Sequence, residues 1–128
     1  MVGLVIVSHS EKVAQGVVEL CRQMALEAPM APAGGLPDGG IGTDFQRIYE
    51  AIDQVKSDDG VAIFFDMGSA LMTTEMVMEE FPEVTMKLVD APILEGAIAA
   101  SVTASLGQPL EAVLEAAHEA TETPKLLD

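Results

Sequence analysis

Residues 3–11 read Gly3-Leu4-Val5-Ile6-Val7-Ser8-His9-Ser10-Glu11, an aliphatic run that stops at two serines flanking a histidine. Such a run has the pattern of a buried strand. Ser8 and Glu11 have the S-x-x-E spacing of a capping box, so a helix is expected to begin here. His9 then falls in a strand-to-helix turn, beside unpartnered backbone N–H groups at the positive end of a helix dipole. That place suits an anion, and above all a phosphoryl group. The sequence therefore points to His9 as a phosphoryl carrier.

Downstream, Val13, Val17, Leu20, Cys21 and Met24 follow helical spacing and predict one buried face, ending before Pro29. Cys21 lies on that face and reads as core. Residues 28–33 are the place for a second strand, which Pro29 and Pro32 restrict to a sheet edge. The loop 34–42 follows, with five glycines. Thr43 or Asp44 can cap a second helix with the stripe Phe45, Ile48, Tyr49, Ile52 and Val55. Val61-Ala62-Ile63-Phe64-Phe65 is continuous and apolar, as expected of a central parallel strand, and ends in Asp66-Met67-Gly68-Ser69-Ala70. A third helix is expected over about 69–80 and a fourth strand over 85–89. A fourth helix, over about 92–106, carries Gly96, Ala97, Ala99, Ala100, Ser101, Ala104 and Ser105. Gly107 ends it, and Pro109 opens a fifth with Leu110, Val113, Leu114 and Ala117 inward.

The alternation βαβαβαβαα predicts one α/β domain over residues 1–128. Its expected core is a single open, mostly parallel sheet of order 2-1-3-4 with helices on both faces. Ligands in such folds bind beyond the carboxyl ends of the strands, where the strand order reverses. His9 follows strand 1 and Asp66 follows strand 3, so both should meet in that crevice.

Composition narrows the function. A formal charge of −15, from 21 acidic and 6 basic residues, disfavours nucleic acid and anionic membranes. It suits basic partners, or simple solubility. No apolar run reaches the roughly 18 residues of a membrane span, and the N-terminus does not read as a signal peptide. One cysteine permits no internal disulfide and fits a reducing cytoplasm. No histidine–carboxylate set has metal-ligand spacing. No glycine motif marks a nucleotide site, so no cofactor is expected.

A histidine nucleophile needs one free ring nitrogen, with the other donating its proton to a carboxylate that fixes the tautomer. Asp66 is the candidate for that role, although its position also suits a helix cap. Ser8, Ser10, Ser69 and the backbone near Gly68 are candidate phosphate contacts. The loop at 39–43 is either a further source of donors or a plain connection. His118, among Glu115, Glu119 and Glu122, reads as surface. Competing readings are a chelatase-like protein, a receiver domain or a pure binding module. The first lacks a good second ligand, and the second lacks acidic residues after strand 1.

Leu4-Val5-Ile6-Val7-Ser8-His9-Ser10 resembles the phosphorylation-site segment of mannose-type EIIA domains of the bacterial phosphotransferase system. Pro32-Ala33-Gly34-Gly35, Gly40-Ile41-Gly42-Thr43, Asp66-Met67-Gly68-Ser69-Ala70 and Val89-Asp90-Ala91-Pro92 with Glu95-Gly96-Ala97 resemble one branch of that family. That branch comprises the phosphocarrier subunits of dihydroxyacetone kinase. The resemblance implies that His9 accepts a phosphoryl group from HPr and passes it to ADP in the subunit DhaL, which serves the dihydroxyacetone-binding subunit DhaK. It also implies a homodimer and a supporting role for Asp66. Some relatives carry further HPr-like and Enzyme I-like domains, so this chain, ending at Asp128, is expected to use a separate HPr. An EIIA component for a sugar is the alternative. Helix periodicity leaves Met72 and Met76 off the buried face of the third helix, as an adaptable docking patch. The small residues of the fourth helix are the expected self-contact.

Overall fold

The structure, a computed structural model, describes residues 1–126; the expected domain end at Asp128 lies outside them. The elements run β1 (Gly3–Ser8), α1 (Glu11–Met24), β2 (Met30–Gly34), α2 (Phe45–Val55), β3 (Val61–Phe65), a 3₁₀ turn (Gly68–Ala70), α3 (Leu71–Met78), β4 (Met86–Leu88), α4 (Ile93–Ser105) and α5 (Leu110–Glu122). The sheet has the expected order β2-β1-β3-β4, and every neighbouring pair is parallel.

Side chains of β1 alternate between the two faces, as pleating requires. Leu4 and Ile6 join Phe64 beneath α1, α4 and α5. Val5 and Val7 join Ile63 beneath α2 and α3. Both faces of β1 and β3 are therefore covered, which explains their unbroken apolar sequences. Strand β2 lies at the edge with Pro32 exposed, where a missing N–H costs no ladder bond. It begins at Met30, later than the expected residue 28, and Pro29 contributes its carbonyl to the Leu4 N–H.

Three expectations need correction. The buried face of α1 is Ala14, Val17, Val18 and Cys21, while Val13, Leu20 and Met24 are exposed. The reason is close approach. A methyl built on Gly34 would stand 2.8 Å from the Ala14 side chain, so only a small residue fits between α1 and β2. Secondly, the segment after Asp66 opens as the 3₁₀ turn and becomes α-helical only at Leu71, leaving Met72 and Met76 exposed at 76% and 53%. Thirdly, Gly96, Ala97, Ala100, Ser101 and Ala104 of α4 are buried within the chain. A Cβ on Gly96 would meet Ala91 at 3.0 Å and the Phe64 ring at 3.4 Å. That small face is filled internally and is not open to a second copy.

Cys21 is buried, and desolvation pushes its thiol above the usual range. Among the described residues no helix is long and apolar enough to cross a membrane.

Candidate active site

Strands β1 and β3 lie side by side in register, with Val7 opposite Phe65. One residue later the backbones part, and the Asp66 side chain fills the fork. Its Oδ1 accepts from His9 Nδ1 at 3.0 Å and from the Met67 N–H at 2.8 Å. Its Oδ2 accepts from the His9 N–H at 3.0 Å and from the Ser8 hydroxyl at 2.8 Å. Asp66 thus holds the turn and the imidazole together. Burial alone would raise its pKa, but the His9 and Ser8 donors outweigh burial and hold the carboxyl below its ordinary value.

A carboxylate only accepts, so in the neutral ring Nδ1 carries the proton and Nε2 the lone pair. Nε2 faces outward, and the Ser69 hydroxyl lies 2.8 Å from it, donating to that lone pair. Side-chain exposure is 15% for His9 and 18% for Asp66, so the pair is sheltered but reachable. Neutral imidazole, a fixed tautomer and an adjacent anion are what nucleophilic attack through Nε2 requires.

The expected phosphate contacts separate into two groups. Ser69 and Gly68 stand at the open side of His9. Their backbone N–H groups, at the start of the 3₁₀ turn, have no hydrogen-bond partner among the described residues. Ser8 is fully buried, with its hydroxyl committed to Asp66 and to the Ser10 N–H, so it cannot reach a ligand. Ser10 is the true N-cap of α1, accepting from the Val13 N–H. The capping box read at Ser8 and Glu11 therefore does not form. Glu11 turns instead to Arg47.

Arg47, which the sequence reading passed over, also donates to the Gly34 carbonyl at 2.8 Å. It ties α2 to α1 and to the end of β2. Its scarcity among 6 basic residues was the available signal. The glycine loop braces the site from behind. Gly42 donates to the His9 carbonyl at 2.8 Å and Gly35 to the Ser8 carbonyl at 3.2 Å. Gly39 and Gly40 donate within the loop, to Leu36 and Asp38. Those four N–H groups are therefore committed. His118 is exposed on α5, as expected. No group of three or more His, Cys, Asp and Glu side chains is arranged to hold a metal among the described residues.

Residues 3–114 match the family described as EIIA-man, PTS system fructose IIA component. The phosphoryl donor subunit DhaM of the PEP-dependent dihydroxyacetone kinase of Escherichia coli K12 is 42% identical over 132 residues. That match takes in 98% of this chain but 28% of the relative, so the chain spans little more than a quarter of that protein. The phosphotransferase subunit DhaM of the PTS-dependent dihydroxyacetone kinase of Lactococcus lactis is 38% identical over 113 residues, covering 88% of this chain and 90% of the relative. In structure, the chain is similar to EF1359, described as a protein of unknown function. The TM-score is 0.78 at 31% identity, over 93% of this chain and 95% of that one. With a parallel 2-1-3-4 sheet and a histidine–aspartate pair at its switch point, the chain belongs to the EIIA-man family and, within it, to the DhaM group.

Proposed function

We propose that this chain is a phosphohistidine carrier. It takes a phosphoryl group from HPr onto His9 and delivers it to ADP held in the DhaL subunit of a dihydroxyacetone kinase. The ATP so regenerated phosphorylates dihydroxyacetone on DhaK. The observation that carries this reading is the His9 ring held by Asp66 through Nδ1, with Nε2 directed outward.

In the accepting step the Nε2 lone pair attacks phosphorus, and the bond to the donor's imidazole nitrogen breaks. The electron pair of that bond returns to the donor ring. Positive charge grows on the His9 ring as the new bond forms, and the Asp66 carboxylate stabilises it. Ser69 moves off Nε2 and, with the Gly68 and Ser69 N–H groups, binds the phosphoryl oxygens. In the delivering step an oxygen of the ADP terminal phosphate attacks, the P–Nε2 bond breaks, and the pair returns to Nε2. Similarity to DhaM proteins supports this acceptor over a sugar-specific partner. The charge of −15 supports basic protein partners over nucleic acid or membrane, and a lone cysteine fits the cytoplasm. The carrier acts as a homodimer, as its family resemblance implies.

The test is to incubate the protein with phosphorylated HPr, locate the phosphate, then add DhaL with ADP. The expected label sits on His9, survives alkali and is discharged as ATP. Phosphate on another residue, or no discharge to DhaL, would overturn the proposal.

A further inference from the structure

We propose that Ser8 is a positioning residue for phosphoryl transfer, acting on His9 through Asp66; this rests on the function proposed above. Ser8 is the only buried hydroxyl at the fork between β1 and β3 among the described residues. Its side chain has no exposure, and both of its hydrogen-bonding directions are used across that fork. The hydroxyl donates to Asp66 Oδ2 at 2.8 Å and accepts the Ser10 N–H at 3.0 Å.

The consequence lies in how the carboxylate is oriented. A carboxylate rotates about one soft terminal torsion. Met67 and the His9 ring hold Oδ1. Without Ser8, only the His9 N–H would hold Oδ2. The Ser8 hydroxyl fixes the second oxygen, so the plane of the group aims Oδ1 at Nδ1. That aim keeps the ring proton on Nδ1 and leaves Nε2 nucleophilic. The Ser10 N–H also fixes the hydroxyl's own direction, which ties the start of α1 to the same network. A buried polar chain of this kind holds one arrangement only while every member is satisfied.

The test compares Ser8→Ala and Ser8→Thr with the parent protein. Nitrogen-15 NMR of His9 reads the tautomer without any phosphotransfer. Rapid-quench measurement with phosphorylated HPr, and separately with phosphoramidate, reads the rate of phosphoryl acceptance. Thermal melting followed by circular dichroism reports folding. The expected result is that Ser8→Ala folds, shows a mixed His9 tautomer and accepts phosphate more slowly. The loss should be on the order of tenfold, the scale of one hydrogen bond to a charged group. Ser8→Thr should restore both readouts.

An alanine variant with the parent's tautomer overturns the proposal, whatever its rate. An unchanged rate does so too. A threonine variant as slow as alanine would assign the effect to packing. An alanine variant that does not fold would make the hydroxyl a structural support only. If the parent protein accepts phosphate from neither donor, the carrier function fails instead, while the tautomer comparison still decides the part played by Ser8.

Discussion

A carboxylate accepting four hydrogen bonds resists protonation, and that gives Asp66 a pH signature. Its folded pKa lies below the ordinary 3.8, so the unfolded chain binds this proton first as acid is added. Asp66 therefore contributes stability that is complete above about pH 4 and is lost as pH falls through the lower folded value. Denaturant titrations should show Asp66→Asn flattening that acid limb. The same variant should slow phosphoryl acceptance by about 10²-fold, the low end for loss of a positioned electrostatic partner. An unchanged rate would reduce Asp66 to a helix cap. His9→Ala should abolish labelling with the fold intact, whereas His118→Ala should label as the parent does; mass mapping of the phosphate decides between them. Gly68 supplies a finer probe. A methyl there meets nothing within 4 Å, so Gly68→Ala should leave the melting temperature unchanged. Slower transfer in that variant would mark the close approach of a phosphoryl group. At this scale His9 and Asp66 were legible because each follows a strand that meets at the switch point. The different duties of Ser8 and Ser10 were not, because S-x-x-E spacing records which side chains can reach a helix end and not which one a buried carboxylate captures.

Elements meet most tightly where β2 passes beneath the start of α1. A Cβ on Gly34 would stand 2.5 Å from the Ser10 carbonyl and 3.0 Å from Glu11 Cα. Backbone atoms cannot swing aside as a flexible side chain can. Gly34→Ala should therefore destabilise by about 1–3 kcal/mol, the usual cost of overpacking, measured by urea unfolding. The variant should also slow transfer by displacing the turn that carries His9. On α3, Met72 and Met76 lie off the packed face and follow directly from the Asp66 loop. Changing both to Glu should weaken transfer to the acceptor while sedimentation shows the same oligomer. A monomeric double variant would place the self-contact on α3. Periodicity located α3's free methionines correctly, since Val77 and Phe81 are buried opposite them. It misassigned the inner face of α1 because Val13 and Ala14 are both apolar. Side-chain size against Gly34, a contact distant in sequence, decides which of them goes inside. Similarly, small residues on α4 signal close packing but do not say whether the neighbour is α5 or another molecule.

Across the whole molecule, the strand order was legible because four parallel strands joined by helices have few right-handed arrangements. The clamp of Arg47 on Glu11 and Gly34 was not, since no local pattern joins residues on α1, β2 and α2. A chain of charge −15 should attract a basic donor over distances set by salt. Stopped-flow association with phosphorylated HPr should slow markedly between about 0.05 and 0.5 M salt, while the rate of transfer within the complex stays nearly constant. A flat salt dependence would mean that contact shape alone guides the encounter. Among the described residues, the hydrogen-bond and ion-pair partners of His9 and Asp66 include no lysine or arginine. A bidentate guanidinium would grip a phosphoryl dianion strongly. Every 1.4 kcal/mol of such grip would tilt the handover equilibrium about tenfold toward retention. A carrier of the proposed kind must let go as readily as it takes hold, and a pocket furnished with hydroxyl and amide dipoles would keep its cargo on loan.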